Sequence, residues 1–286
     1  MPIDPERAIG ADLGEESFSW TASDVLLYHL ALGAGGNPVD ERELRYTYER
    51  DLRVLPTFAT VAANARTDEP PAVSFPGVEI ALDKVVHGTQ AVTVHRPVPP
   101  EGKAVARTRI VDVLDKGTAA VIMNETVVTE PDGGPLWTSR SSIFARGEGG
   151  FGGRRGSSER IALPDRDPDS VVDIPTLPQQ ALLYRLCGDR NPLHADPEFA
   201  RAAGFDAPIL HGLCTYGIVA KAVTDTMLDA DVTRVESFSA RFAGIVVPGE
   251  TLRVRVWRDG ERLLVTASVP ERGGAPVLAD AVLTTT

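Results

Sequence analysis

The sequence predicts an α+β fold made of two similar units set side by side, and three observations carry that expectation. A segment recurs once in degraded form: Leu26-Leu27-Tyr28 followed by HLALGAGGNPVDE resembles Leu182-Leu183-Tyr184 followed by RLCGDRNPLHADP. Each copy leads into an apolar helical segment and then a series of strand-like runs. Between the halves lies GEGGFGGRRGSSERIALPDRDPD, residues 147–169, dominated by Gly, Ser, Arg, Asp and Pro. One helix followed by four or five antiparallel strands, occurring twice, describes two α+β units.

In the first unit the helical segment is placed at residues 56–65, and strands at 79–82, 89–96, 103–114, 119–130 and 136–145. In the second, Leu213, Tyr216, Ala220 and Val223 recur at helical spacing within 212–228, and strands are placed at 235–242, 251–259, 262–269 and 277–285. The runs are rich in Val, Thr, Ile and Arg, and turn pairs such as Asp132-Gly133 and Pro248-Gly249 separate them. The chain is divided into a unit at 1–150, a flexible or extended linker at 151–169 and a second unit at 170–286.

Composition narrows the function classes. Hydrophobic residues make up 43% and charged residues 24% of the 286, as in a soluble globular protein. A formal net charge of -11 argues against nucleic acid or an anionic membrane as partner. Cys187 and Cys214 each sit in an apolar segment without a partner at metal-ligand spacing, so two reduced, buried thiols in a cytoplasmic protein are expected. The acidic N-terminal stretch MPIDPERAIGADLG lacks the apolar core of a signal peptide. No apolar run reaches the length of a membrane span.

The chemistry concentrates in one segment of the second unit. Asp189 and His194 stand five residues apart across Asn191-Pro192. That spacing does not align two side chains on one face of a straight helix, so a bend must bring them together. Asn191-Pro192 supplies the bend, with Leu193 turned to the core as its anchor. A carboxylate and an imidazole so placed can hold a water molecule and move its protons. An Asp in such a turn is often only a cap. Aligning the two Asn-Pro steps sets Gly35 against Asp189 and Asp40 against His194, so the first copy keeps the turn and lacks the pair. A turn needed only for folding should look alike in both. His211-Gly212 then opens the long helix, where free N–H groups at the positive end of the dipole form a socket for a developing oxyanion. Equally, Gly212 could only relieve crowding. His87-Gly88 in VVHGTQ reads by itself as a turn, and Arg96, Lys103, Arg107, Arg109, Lys116 and Arg190 as solvated cations, some able to meet a phosphate.

These segments resemble the R-specific enoyl-CoA hydratases of the MaoC-like group, including the hydratase part of peroxisomal multifunctional enzymes. The resemblance rests on Tyr184-x-Leu-Cys-Gly-Asp189-Arg-Asn-Pro-Leu-His194 and on Phe205-Asp206-x-Pro-Ile-Leu-His211-Gly212-Leu, and extends to VVHGTQ, LDKGTA and RFAGIVVPGE. It implies a double hot-dog fold, two antiparallel sheets each wrapped round a central helix, with the first half stripped of catalytic residues to accommodate the acyl chain. It implies that Asp189 and His194 activate water, that Asn191 shapes their loop and that the Gly212 N–H polarises the thioester carbonyl. It implies acyl-CoA contacts from His87, Gly88, Lys116, Arg190 and Phe242. Thr89 departs from the acidic residue that often follows His-Gly in relatives.

The implied reaction is reversible hydration of a trans-2-enoyl-CoA to an (R)-3-hydroxyacyl-CoA. Coenzyme A enters as part of the substrate, and neither metal nor redox cofactor is expected: the histidines lack ligand spacing and no Gly-rich dinucleotide turn follows a strand. A homodimer in the cytoplasm is expected, with an acyl-CoA as the small-molecule partner. Two other classes stay open on the residues: a hot-dog acyl-CoA thioesterase, and a non-catalytic acyl-CoA binding or assembly subunit. The acyl group, fatty, branched or sterol, is not set by the sequence.

Overall fold

The computed structural model describes residues 3–157 and 160–286. The first half begins with helix α1 (Pro5–Ala8), strand β1 (Asp12–Trp20), helices α2 (Ala22–Ala31) and α3 (Glu41–Thr47), and a 3-10 turn at Pro56–Thr60. A short hairpin, β2 (Val73–Phe75) with β3 (Val78–Ile80), precedes the long strands β4 (Val85–Val94), β5 (Gly102–Asp115), β6 (Ala119–Thr129) and β7 (Pro135–Arg146). The second half runs β8 (Ser170–Pro175), α4 (Gln180–Tyr184), α5 (Pro197–Ala202), α6 (Gly212–Met227), β9 (Val235–Phe242), β10 (Thr251–Asp259), β11 (Arg262–Val269) and β12 (Ala275–Thr285).

The long strands form one ten-stranded sheet in the order β1-β5-β6-β7-β4-β9-β12-β11-β10-β8. Each half contributes five strands in the same order, mirrored about the β4–β9 seam. The two expected sheets are therefore fused edge to edge. Pairing of Thr89 with Arg241 through Thr93 with Ser237 satisfies backbone groups that two separate sheets would leave at open edges.

Helix α6 fills the concave side of the second half. Every residue from Cys214 to Thr224 is buried, as befits a helix that is apolar nearly all round. Its one cation in that stretch, Lys221, reaches Glu43 at 2.7 Å and Asp225 at 2.8 Å, so helix and first half are tied by an ion cluster. Gly217 lets α6 approach α2: a Cβ there would stand 2.7 Å from Leu32 and from the Tyr28 hydroxyl. One core cluster consequently spans both halves, from Trp20, Tyr28, Phe58 and Trp137 to Tyr184, Tyr216 and Phe238.

The first half departs from the sequence expectation. The apolar segment at 56–65 is not a helix beyond the single 3-10 turn Pro56–Thr60. Pro56 starts that turn, and the following residues pass through further turns before the hairpin. The run at 79–82 is likewise shorter, with Leu82 in a 3-10 turn. Strands β1 and β8 lie outside the expected runs. Of residues 151–169, Ser158 and Glu159 lie outside the described residues. The remainder carries no helix or strand and is pinned: the Ile161 N–H bonds Asp280 at 3.0 Å, and Trp257 Nε1 bonds the Arg166 carbonyl at 3.0 Å.

Candidate active site

The loop after α4 is built around one residue that only glycine can fill. Gly188 has φ 106°, the left-handed region, and a Cβ there would fall 1.8 Å from the Asn64 carbonyl oxygen. The chain thus turns sharply against the first half and delivers Asp189. The Asp189 carboxylate accepts the Asn191 N–H at 3.1 Å, and the Asn191 side chain accepts the Leu193 N–H at 3.0 Å. Two successive side-chain turns, with Pro192 opening a 3-10 turn over Pro192–His194, form the bend that the five-residue spacing requires. Leu193 is buried against Ala200 and Ile209 and anchors it.

His194 is buried, and its Nδ1 lies 2.8 Å from the Ile209 carbonyl. A carbonyl can only accept, so Nδ1 carries the proton and Nε2 keeps a free lone pair. Burial holds the His194 pKa below its ordinary value, against the pull of the Asp189 charge, so the ring is a neutral base near pH 7. His211 completes the group. Its ring stacks on His194 with centroids 3.7 Å apart, and its Nε2 donates to the Asp189 carbonyl at 3.2 Å. Burial, then the neighbouring His194, keeps its pKa well below the ordinary imidazole value.

Side-chain donor atoms of Asp189, His194 and His211 all lie within 4.8 Å of one another. The two rings are inclined by only 27°, so their in-plane lone pairs do not converge, and one nitrogen of each is committed to a carbonyl. That donor set suits proton transfer better than a metal ion.

Gly212 is the first residue of α6 and follows the N-cap His211. The first N–H groups of a helix lack intrahelical acceptors and sit at its positive end. The Phe242 ring packs on Gly212, where a Cβ would meet it at 3.1 Å, and the His87 ring lies 4.8 Å beyond Phe242. Asp189, Asn191, His194, Gly212, Phe242 and His87 all face one cavity of ≈ 330 Å³. Its other walls are mainly apolar and come from both halves, among them Val73, Phe75, Val85, Ile143 and Leu213.

The remaining sequence candidates are placed differently. Gly88 is the extra residue of a bulge, since His87 pairs with Ile143 and Thr89 with Ser142. It does not line the cavity; a Cβ on it would strike the Ser142 hydroxyl at 2.6 Å. Its role is thus to let β4 bend where His87 enters the cavity. His87 has its Nε2 closed off from solvent without a partner among the described residues, and burial pushes its pKa down to about 4. Lys116 lies on the β5–β6 turn with Nζ 2.6 Å from the Arg155 carbonyl, and Arg190 reaches the Thr67 carbonyl at 3.3 Å; neither lines the cavity. Sequence reasoning missed the imidazole stack of His194 on His211, and Asn124 and Ser141, which bring polar side chains to the cavity wall. Only the His-Gly step at a helix start signalled the first; nothing local signalled the others.

Comparison with known proteins agrees with this arrangement. A MaoC like domain matches residues 160–273, and the MFE-2 hydratase 2 N-terminal domain matches residues 18–147. The chain is 57% identical over 279 residues to the enoyl-CoA hydratase ChsH3 of Mycobacterium tuberculosis, covering 98% of each. It is 38% identical to the peroxisomal multifunctional enzyme type 2 of Mus musculus, across 93% of this chain and 36% of that enzyme. The crystal structure of a MaoC-like dehydratase from Phytophthora capsici superposes with a TM-score of 0.88 at 28% identity, covering 99% of this chain and 98% of that one. Two matched domains, one per half, and whole-length similarity place the chain in the MaoC-like hydratase and dehydratase family, in its double hot-dog form.

Proposed function

We propose that this protein is a hydro-lyase that adds water reversibly across the double bond of a trans-2-enoyl-CoA, giving an (R)-3-hydroxyacyl-CoA. The observation that carries this reading is the neutral His194, its Nε2 free, beside the Asp189 carboxylate in a cavity that also holds the start of α6. A water held between Asp189 and His194 gives hydroxide to C3 and a proton to C2 on one face of the substrate. The Gly212 amide supports the charge that develops on the thioester oxygen. Acid–base assistance and an oxyanion donor are each worth roughly a hundredfold or more. The name of the bacterial relative, an enoyl-CoA hydratase, supports hydration of an enoyl-CoA.

The reading includes no metal and no redox cofactor, coenzyme A as part of the substrate, a homodimer and a cytoplasmic setting. His87 and Phe242 are assigned to the acyl-thioester wall, Gly88 to the bulge that presents His87, and Lys116 and Arg190 to the outer coenzyme A portion. The test is a steady-state assay with enoyl-CoAs of increasing length and bulk. Loss of enoyl-thioester absorbance, an R product by chiral analysis and no freed thiol are expected. Release of thiol without hydration would instead identify a thioesterase.

A further inference from the structure

We propose that His211 is a positioning residue of this site: it fixes the spacing between the water-holding pair and the Gly212 amide. This deepens the hydratase reading and rests on it. The two parts of the chemistry sit on separate elements. Asp189 and His194 come from the loop after α4, while the amide donor belongs to the start of α6. His211 belongs to both. Its backbone is the N-cap of α6, with φ -56° and ψ 134°, and its carbonyl accepts the Thr215 N–H at 3.1 Å, so it sets where the Gly212 N–H begins. Its side chain reaches back across the loop, donating to the Asp189 carbonyl at 3.2 Å and covering one face of His194 at 3.7 Å.

A histidine that merely fills a core looks different in this molecule. His29 is fully buried with both nitrogens engaged: Nδ1 is 2.8 Å from the Tyr46 carbonyl, and Nε2 accepts the Leu55 N–H at 3.2 Å. His211 is 1% exposed, yet its Nδ1 has no partner among the described residues. Leaving a buried polar atom unpaired carries a desolvation cost that an apolar ring of the same shape would avoid. The imidazole is therefore explained by its donor, Nε2–H, and not by packing alone. Asp189, His194 and Arg185 are the charged or titratable groups that bear on it, with the Tyr184 ring 5.0 Å away. A carbonyl only accepts, so Nε2 carries the proton, and burial keeps the ring neutral so that no cation lies on the face of His194.

The test separates the stack from the donor. His211→Phe keeps a ring on His194 and removes the hydrogen bond; His211→Gln keeps an N–H donor and removes the ring. Hydration kinetics are measured with thermal unfolding of each variant. Because a misplacement near 1 Å can reduce rates about a hundredfold, H211F is expected to lose about 10- to 100-fold in kcat with KM within about threefold. H211Q is expected to recover to within about fivefold of the parent. If folded H211F keeps kcat within twofold, or shows its loss in KM alone, the assignment is overturned. If H211Q folds and is as impaired as H211F, the imidazole itself moves protons and positioning is the wrong role. If H211F fails to fold, H211Q alone decides: kcat lowered by no more than about fivefold supports positioning through the donor, and a larger loss overturns it. An inactive parent enzyme would remove the hydratase reading and this inference with it, whereas an active parent with silent variants removes this inference alone.

Discussion

The two halves use one scaffold for opposite ends. Both place a turn with an Asn-Pro step after a helix, and in both one strand of the large sheet precedes that turn and four follow it, laid out in the same order. In the second half the turn presents Asp189 and His194 to a cavity. In the first, the aligned Gly35 gives its N–H to Glu43 at 2.7 Å, and Asp40 caps α3 by accepting the Arg42 N–H at 2.9 Å. Glu43 in turn holds Lys221 of α6. The same turn therefore serves cohesion in one half and presents a carboxylate and an imidazole to the cavity in the other. The difference lies in which side chains a loop turns to the cavity, not in the fold that carries it.

The largest effect should come from the loop that faces the cavity. Asp189→Asn and His194→Ala are each expected to lower kcat at least about a hundredfold while circular dichroism and unfolding stay near the parent. Full turnover in a folded H194A would make the two halves equivalent and end the comparison. Next comes the support beneath the loop. Gly188→Ala introduces a side chain at φ 106° against the Asn64 backbone, so a loss of stability above about 1 kcal/mol and a fall in kcat are expected together. Retained stability and rate would show that the first half does not set the loop.

The mirror substitution should be small and of another kind. Asp40→Ala removes a helix cap, so about 1 kcal/mol of stability is lost and kcat stays within twofold. A large fall in kcat would show that the first turn still takes part in the chemistry.

Protonation sharpens the same contrast. His29 has its pKa lowered to about 4 from 6.5 by burial. Its contribution to stability is complete above pH 6.5 and is lost as pH falls toward about 4, because the unfolded chain binds the proton first. His194, also lowered, should appear in the rate instead: kcat/KM falls on the acid side with a midpoint below the ordinary 6.5. In an NMR titration of the His194 ring, Asp189→Asn should move the midpoint lower still, since the carboxylate favours the imidazolium.

Local signals were sufficient where local physics decides. Turn chemistry and β-branched runs place β9, β10 and β11 at their observed bounds, and Asp189, Asn191 and His194 declare the bend through their own side-chain turns. Strands β1 and β8 escaped because both are edges with half-exposed faces: β1 carries Glu15 and Glu16 outward, and β8 directly follows a Pro- and Asp-rich stretch. The first-half helix was overestimated because apolar content persists through 56–65 while Pro56 and the packing of Phe58 under the sheet favour tight turns. The β4–β9 seam and the His194–His211 stack join residues distant in sequence, and such pairings have no signature at either partner alone. The outer placement of Lys116 and Arg190 is similar, since a cation in a turn looks the same beside a cavity or away from it.

A repeat whose turn lacks the carboxylate–imidazole pair would be expected to drift freely. Here that freedom is curtailed by the backbone of Asn64, which stands where any side chain at Gly188 would have to go. A shift of that backbone would be transmitted to Asp189, one residue after Gly188. Selection on the site should therefore reach into the half whose own turn carries no such pair.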